Sequence, residues 1–458
     1  MRAAWCAVLL ATVALAAPAA AHGPDGARGG DPVARAPDVR ATVAARNRFF
    51  GEGNVDQATG AVRRDRVIFS WVGVTNFAAA IRGHVVLLDA WVPRGLNEHY
   101  VPVRPEELAA LDPELILLGH AHFDHAADAV PIAQAADATI VGLGEHCAEM
   151  VRRASGLPPR CTPVIPAGAP TGTKRETELL PGVGVTVVKH LHSGAQEPDA
   201  SDGYHVPVLP TGSLSPVTHP PSPEAMAHLV AHAPDAEGGS MLYRFQVGDT
   251  SFVWHDTSGP LKELAPGGFE VLRTLRPVDV QLGAIQSFNQ FTNGMRDIRM
   301  YIEALRPALF VPDHHDDWAP GITNQGDSYR EPLYAELARL PAEQRPQVRF
   351  LRDPMDYVRP EALTFPVRFA PLRLTRRCAG AGRLHVSLAG DTADVQEVRV
   401  RLGAARRTVG AAPWRTALSR RELARRGGRS LVAEVVSRGG ERQVLKRRVP
   451  GCGVRRAR

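Results

Sequence analysis

Short apolar runs separated by helix-like and turn-rich stretches dominate the chain from Val67 onward. Residues 67–69, 85–88, 115–118 and 139–141 read as strands, the third apolar throughout and so buried on both faces. An Ala-rich stretch at 126–136 reads as a helix between the last two. This strand–helix–strand alternation predicts layered α/β architecture. The rhythm breaks at 196–239, where prolines accumulate, including Pro220-Pro221, and no strand pattern is sustained. So long a connection inside a compact unit is a candidate binding loop, with Tyr204 and His205 as its possible substrate-facing residues. Regularity returns in strands at 241–245 and 251–254, an amphipathic helix at 295–305 and a strand at 309–311.

After about Pro366 the pattern changes. Residues 385–388, 395–402, 430–436 and 443–449 alternate as short strands between Gly-rich turns, which predicts a small β-sandwich. This tail carries roughly 23 basic against 6 acidic side chains, while the part before it is net negative. At 458 residues, 44% hydrophobic and 22% charged, the chain suits two globular domains rather than a disordered polymer. Its 42 glycines and 38 prolines argue against a helical bundle.

Arg2, the apolar stretch 3–17 and Pro18-Ala19-Ala20-Ala21 have the layout of a cleaved export signal. The apolar stretch falls short of the roughly 20 residues needed to span a bilayer. No cysteine follows the small residues to carry a lipid, and no later stretch is apolar enough to cross a membrane. The expected organisation is a signal peptide at 1–21, a linker at 22–40, an α/β domain at 41–365 and a basic β-sandwich at 366–458. The expected location is secreted, extracellular or cell-envelope associated. Removing Cys6 with the signal leaves Cys147, Cys161, Cys378 and Cys452, which allow three pairings. Pairing Cys147 with Cys161 and Cys378 with Cys452 keeps each bridge within one predicted domain, as an oxidising compartment permits.

The chemistry concentrates in Gly119-His120-Ala121-His122-Phe123-Asp124-His125, where a buried strand ends and four metal-ligating side chains follow within six residues. Neutral imidazoles suit zinc, and a carboxylate compensates its charge. A run of three His and one Asp has no packing use at the end of an apolar strand. It resembles the His-x-His-x-Asp-His signature of the metallo-β-lactamase superfamily, and further segments follow in that family's order. These are the strand 85–89 ending in Asp89, the strand 185–193 with His190 and His192, the segment 252–257 ending in His255-Asp256-Thr257, and Phe310-Val311-Pro312-Asp313-His314-His315. Together they cover about 65–320.

The resemblance implies a four-layer αββα fold, followed here by the small all-β sandwich. It implies a first metal on His120, His122 and a histidine of the third segment, and a second on Asp124, His125 and a histidine of the last. Asp256 lies between the two ions. His192, beside Ser193, is preferred to His190, and His314 to His315; the others become supporting or substrate-facing residues. Asp249 in Gly248-Asp249 rivals Asp256, but it reads as a hairpin-turn residue. Asp89 reads as a support for the metal loop or as a turn residue.

Trp71-Val72-Gly73-Val74-Thr75-Asn76-Phe77 resembles the opening strand and turn of a lactonase-like branch related to ascorbate-phosphate lactonases. The implied activity is that of a secreted binuclear hydrolase, with two divalent ions, zinc first and Mn or Fe as alternatives. It would use a metal-bridging hydroxide to cleave an ester, lactone or amide of a small-molecule substrate, with Asp124 or a nearby His a candidate proton donor to the leaving group. One alternative is a phosphodiesterase acting on a phosphate ester or nucleic acid; another is a non-catalytic, envelope-associated metal-binding protein, disfavoured by the complete set of candidate ligands. Residues 285–291 could line a pocket, though a helix N-terminus with amphipathic packing explains them better. The Arg-rich tail suits an anionic cell envelope. Nucleic acid is disfavoured, since only Trp414 is available there for base stacking.

Overall fold

Strands apolar on both faces must lie between two layers, and the apolar runs do so as two facing sheets. The computed structural model describes residues 39–94, 101–209, 215–316, 318–319, 325–353, 355–379, 383–419, 430–438 and 442–449. The first strands are β1 (Arg66–Gly73), β2 (Asn76–Ile81), β3 (His84–Leu88), β4 (Leu115–Leu117), β5 (Thr139–Leu143), β6 (Cys161–Ile165) and β7 (Lys174–Leu180). They are followed by β8 (Val183–His190), β9 (Ser240–Val247), β10 (Thr250–His255), β11 (Val278–Ala284), β12 (Pro307–Asp313), β13 (Gln347–Val348) and β14 (Thr364–Pro366). One sheet runs β14-β1-β2-β3-β4-β5-β6 and the other β13-β12-β11-β10-β9-β8-β7. Their inner faces share one core, in which Phe69, Phe77 and Leu117 meet Phe245, Phe252 and Trp254. Helices cover the outer faces, for example Ala129–Ala136 on the first sheet and Pro266–Arg273 and Arg296–Leu305 on the second. This is the αββα architecture.

The pattern missed β2. Its Ala78-Ala79-Ala80 run has weak strand propensity and takes strand form because β1 and β3 pair on either side of it. The helix expected at 126–136 is split into Phe123–Ala126 and Ala129–Ala136. Between them the buried Asp128 takes the Val92 N–H (2.9 Å) and the Arg94 guanidinium. The helix expected at 295–305 spans Arg296–Leu305, and its polar face is buried as well, with Arg296 between Asp199, Glu263 and Asp297. Of the expected linker, Val39 and Arg40 already belong to the helix Val39–Phe50; the rest, and the expected signal peptide, lie outside the described residues.

Seven more strands form the C-terminal part: β15 (Arg373–Ala379), β16 (Arg383–Ala389), β17 (Val395–Leu402), β18 (Ala405–Val409), β19 (Arg415–Leu418), β20 (Ser430–Ser437) and β21 (Arg442–Arg448). The sheet β15-β16-β19 packs on β18-β17-β20-β21, with Leu374, Leu384 and Val386 of one against Val398, Val400 and Leu431 of the other. Trp414 packs against this core. Arg82, in the β2–β3 turn, is buried against Asp391 (2.6 Å) and Asp394 (2.8 Å) ahead of β17, which ties the small sandwich to the first sheet. Cys147 and Cys161 are disulfide-bonded, joining the helix Gly144–Arg153 to β6. Cys378 lies on β15 and is disulfide-bonded, while Cys452 lies outside the described residues.

Two buried histidines make stability depend on pH. The Leu143 N–H donates to His146 Nδ1 (3.2 Å), and His146 Nε2–H donates to the Gly239 carbonyl (2.7 Å), which fixes the end of the long 196–239 connection. Burial brings both His146 and His255 down to about 4 from the ordinary 6.5. Both are neutral in the fold and take a proton near pH 6.5 only when the chain unfolds. Stability from this source is therefore complete above about pH 6.5 and is lost as pH falls towards 4, at up to about 1.4 kcal/mol per pH unit for each ring. Urea titrations of the metal-free protein are expected to give lower stability at pH 5 than at pH 7, and His146→Gln should narrow that gap. A gap unchanged by the substitution would refute the account.

Candidate metal centre

All candidate segments leave the carboxyl ends of strands that run the same way. β4 is parallel to β3, and β12 and β11 are parallel to β10, while β8 reaches the same end through two antiparallel steps. The loop after β4 is held on both sides. Gly119 N–H donates to Asp89 Oδ1 (2.9 Å), and the Gly119 carbonyl accepts from Met241 N (2.7 Å). Ala121 N–H donates to the Glu237 carbonyl (2.8 Å). His122 then starts the short helix Phe123–Ala126, whose first turn presents Asp124 and His125.

Three sets of ligand atoms lie within 4.8 Å of one another: His120, His122 and His192; His120, Asp124 and His125; and Asp89, His125 and Asp256. His120 Nδ1–H donates to Asp256 Oδ2 (2.6 Å), and that oxygen is 3.5 Å from His125 Nδ1. His314 Nε2 stands 3.6 Å from Asp124 Oδ2, and its ring centre is 5.2 Å from that of His125. Asp256 is fully buried at the end of β10, whereas Asp249 lies in the exposed β9–β10 turn, accepting from Arg368 N (2.9 Å).

The paired histidines take different places. β8 ends at His190, two residues before His192, so the chain turns and the two rings do not share an environment. His192 joins His120 and His122, with ring centres 4.6 and 4.9 Å away. His190 packs on the helix side of the second sheet, where its Nδ1 meets the Tyr301 hydroxyl (2.8 Å). At the end of β12, His314 has a left-handed backbone (φ 58°) that directs successive side chains apart. His315 is buried against Trp71 and Phe350, away from the cluster. His205 is buried on Glu336 (2.7 Å) and Tyr204 is exposed; neither makes a described contact with the cluster.

The electrostatics suit cations. Burial, then the neighbouring imidazoles, hold His120 well below the ordinary imidazole range and bring His122 down to about 4. Burial opposes charge on His125 and Asp124 too, yet their mutual attraction, helped by Asp89 and His314, keeps the imidazole well above its usual range and the carboxyl well below. Burial and the nearby Asp256 push Asp89 up to about 7, against the pull of His125. His120 Nε2 and His122 Nδ1 stand 3.0 Å apart, and the buried Asp256 Oδ1 has no hydrogen-bond partner. A cation between the two nitrogens would serve both lone pairs, and one beside Asp256 would satisfy its open oxygen.

Three supporting residues escaped the sequence reading. Thr75 Oγ1–H donates to Asp89 Oδ2 (2.7 Å), and that oxygen accepts from His125 Nδ1 (2.8 Å). Asp316 accepts from Val74 N (2.9 Å) and from the Tyr357 hydroxyl (2.7 Å), fixing the β1–β2 turn beside the end of β12. Asp313 is fully buried with neither carboxylate oxygen bonded, and burial with Asp256 and Asp89 pushes it well above the ordinary range. Only a polar residue closing an apolar strand could have signalled Asp313 in advance. Asn289, in the region read as possible pocket lining, and Asn293 just beyond it instead anchor the long connection through Gln196 N and Asp199 N (3.2 and 2.7 Å).

Residues 76–197 match the family described as the metallo-beta-lactamase superfamily. The matched stretch holds the metal loop from His120 to His125 and the later His190 and His192. A UPF0173 metal-dependent hydrolase of Pyrobaculum neutrophilum is 27% identical over 282 residues, spanning 62% of this chain and 95% of that protein. A similarly named protein of Pyrobaculum calidifontis is 27% identical over 246 residues, spanning 54% of this chain and 83% of its own. Among solved structures, a novel metallo hydrolase from the hyperthermophilic archaeon Ignicoccus hospitalis is 16% identical with a TM-score of 0.42, covering 66% of this chain and 100% of that one.

Proposed function

We propose that this chain is an exported, binuclear metal-dependent hydrolase that cleaves an ester, lactone or amide bond of a small molecule. The observation that carries the reading is that ligand atoms of His120, His122 and His192 lie within 4.8 Å of one another, as do those of His120, Asp124 and His125, with His314 3.6 Å from Asp124 and Asp256 on His120. In this reading His120, His122 and His192 hold one ion, and Asp124, His125 and His314 hold the other. Two bound divalent ions would polarise the scissile carbonyl and bring the ionisation of water near neutral pH. Zinc suits the imidazole and carboxylate donors, and Mn or Fe fit the same set.

The chain's own groups do the rest. Asp89 and Thr75 orient His125 through its Nδ1, leaving Nε2 towards Asp124. Asp124, partly exposed in the first helical turn, is ionised, so in this reading it first takes a proton from the attacking water and then passes it to the leaving group. The Trp71–Phe77 resemblance to a lactonase-like branch makes a lactone the first substrate class to test. The N-terminal signal pattern supports export, as does the Cys147–Cys161 disulfide, since such bonds persist in oxidising compartments.

Metal analysis of purified protein, followed by assays on a lactone, a bis-aryl phosphodiester and a β-lactam, tests the reading. About two equivalents of metal and preferential lactone turnover are expected. Less than about one equivalent of metal would refute it, and dominant phosphodiester turnover would move the activity to another class.

A further inference from the structure

The three-stranded sheet of the C-terminal sandwich turns one face to solvent, and every titratable side chain described on it is basic. Side chains alternate along a strand, so Arg373 and Arg377 of β15 point away from the core that holds Leu374, and Arg383 and His385 of β16 flank the buried Leu384. In register, Arg377 lies opposite His385, and Thr375 and Arg415 lie on either side of Ser387. All five basic residues are exposed, and among the described residues none makes an ion pair. Clustered like charges across strands do nothing for folding and oppose it.

Among the described residues of the sandwich, the acids are engaged elsewhere. Asp391 and Asp394 hold Arg82. Glu434 sits among the arginines of the four-stranded sheet, 3.7 Å from Arg399 and 3.3 Å from Arg442, and Glu397 pairs with Arg399. Among the described residues this face carries no Phe, Tyr or Trp on which bases could stack, since Trp414 packs inward. What it offers is an array of cations on one sheet face with Thr375 and Ser387 between them.

We propose that this face docks the chain on an anionic phospholipid surface. Its exposed cationic array complements the charge of a layer of phosphate headgroups, where each Arg strengthens binding by about fivefold.

Co-sedimentation of the full chain with vesicles of phosphatidylglycerol and phosphatidylcholine, at low ionic strength, tests this. Wild-type protein is expected to bind the acidic vesicles and to release them as salt screens the contact. The triple variant Arg373→Gln, Arg377→Gln, Arg415→Gln should bind about a hundredfold more weakly. The triple Arg401→Gln, Arg406→Gln, Lys446→Gln, on the opposite sheet, should stay within about threefold of wild type, and Lys at the first three positions should restore binding. Melting temperatures read alongside separate lost binding from lost fold. Equal loss in both triples, equal binding to pure phosphatidylcholine, or tighter binding to a single-stranded oligonucleotide than to acidic vesicles would each overturn the proposal.

Discussion

Replacing Gly119 with alanine is expected to displace Asp256 and strip the cluster of metal. A β-carbon at Gly119 would lie 2.0 Å from both Cγ and Oδ2 of Asp256 and 2.4 Å from Oδ1. Neither side can give way easily. Gly119 is tied by its N–H to Asp89 and by its carbonyl to Met241, and Asp256 is completely buried with Oδ2 on His120. Overpacking of this kind costs about 1–3 kcal/mol, and the dislodged carboxylate leaves His120 and His125 without their shared partner. Bound metal should fall to one equivalent or fewer and turnover by about a hundredfold or more. Gly267→Ala, at a glycine with no atom near its missing β-carbon, should change neither quantity. Mass-spectrometric metal counts and initial rates on both variants check this; full metal content in Gly119→Ala would show that the carboxylate is not needed where it lies.

The second large effect is expected from Asp256→Asn. The amide keeps the shape of the side chain but removes the negative charge between the two histidine sets. If Asp256 lies between two cations, its charge accounts for several kcal/mol of their binding and of transition-state stabilisation, so turnover should fall by about a thousandfold. The metal-free protein should respond in the opposite sense. Asp256 raises the cost of charge on its buried neighbours Asp89 and Asp313, so removing it should raise the melting temperature of the metal-free form while lowering that of the metal-loaded form. Asp249→Asn, in the exposed β9–β10 turn, should leave both within error. A thermal shift of the same sign in both forms of Asp256→Asn would contradict the assignment of Asp256 to the metal centre.

Much of the fold was legible because one-dimensional patterns report local burial. Fully apolar runs such as 115–118 became interior parallel strands, and alternating runs such as Val395–Leu402 became half-buried strands of the sandwich. What escaped depends on neighbours distant in sequence. The alanines of β2 form a strand only because two partners flank them, and the charges of the helix Arg296–Leu305 are buried only because the 196–208 segment brings Asp199 and Asp202 to it. The stretch 196–239 looked open for substrate; Asn289, Asn293 and Glu336 pin its first part, and His146 its end.

The sequence by itself determined the metal loop and the architecture. Four ligating residues adjacent in the chain at the end of a buried strand need no distant information, and hydrophobic periodicity is set locally. Only the tertiary structure decided which distant groups meet that loop. His190 and His192, His314 and His315, and Asp249 and Asp256 are near-equivalent as letters. They separate because β8 ends at His190, because the backbone turns left-handed at His314, and because Asp249 sits at the far end of β10 from the cluster. Thr75 and Asp316 belong to the same class, since each bonds to groups far away in the chain, and only folding brings the buried Asp313 near Asp89 and Asp256.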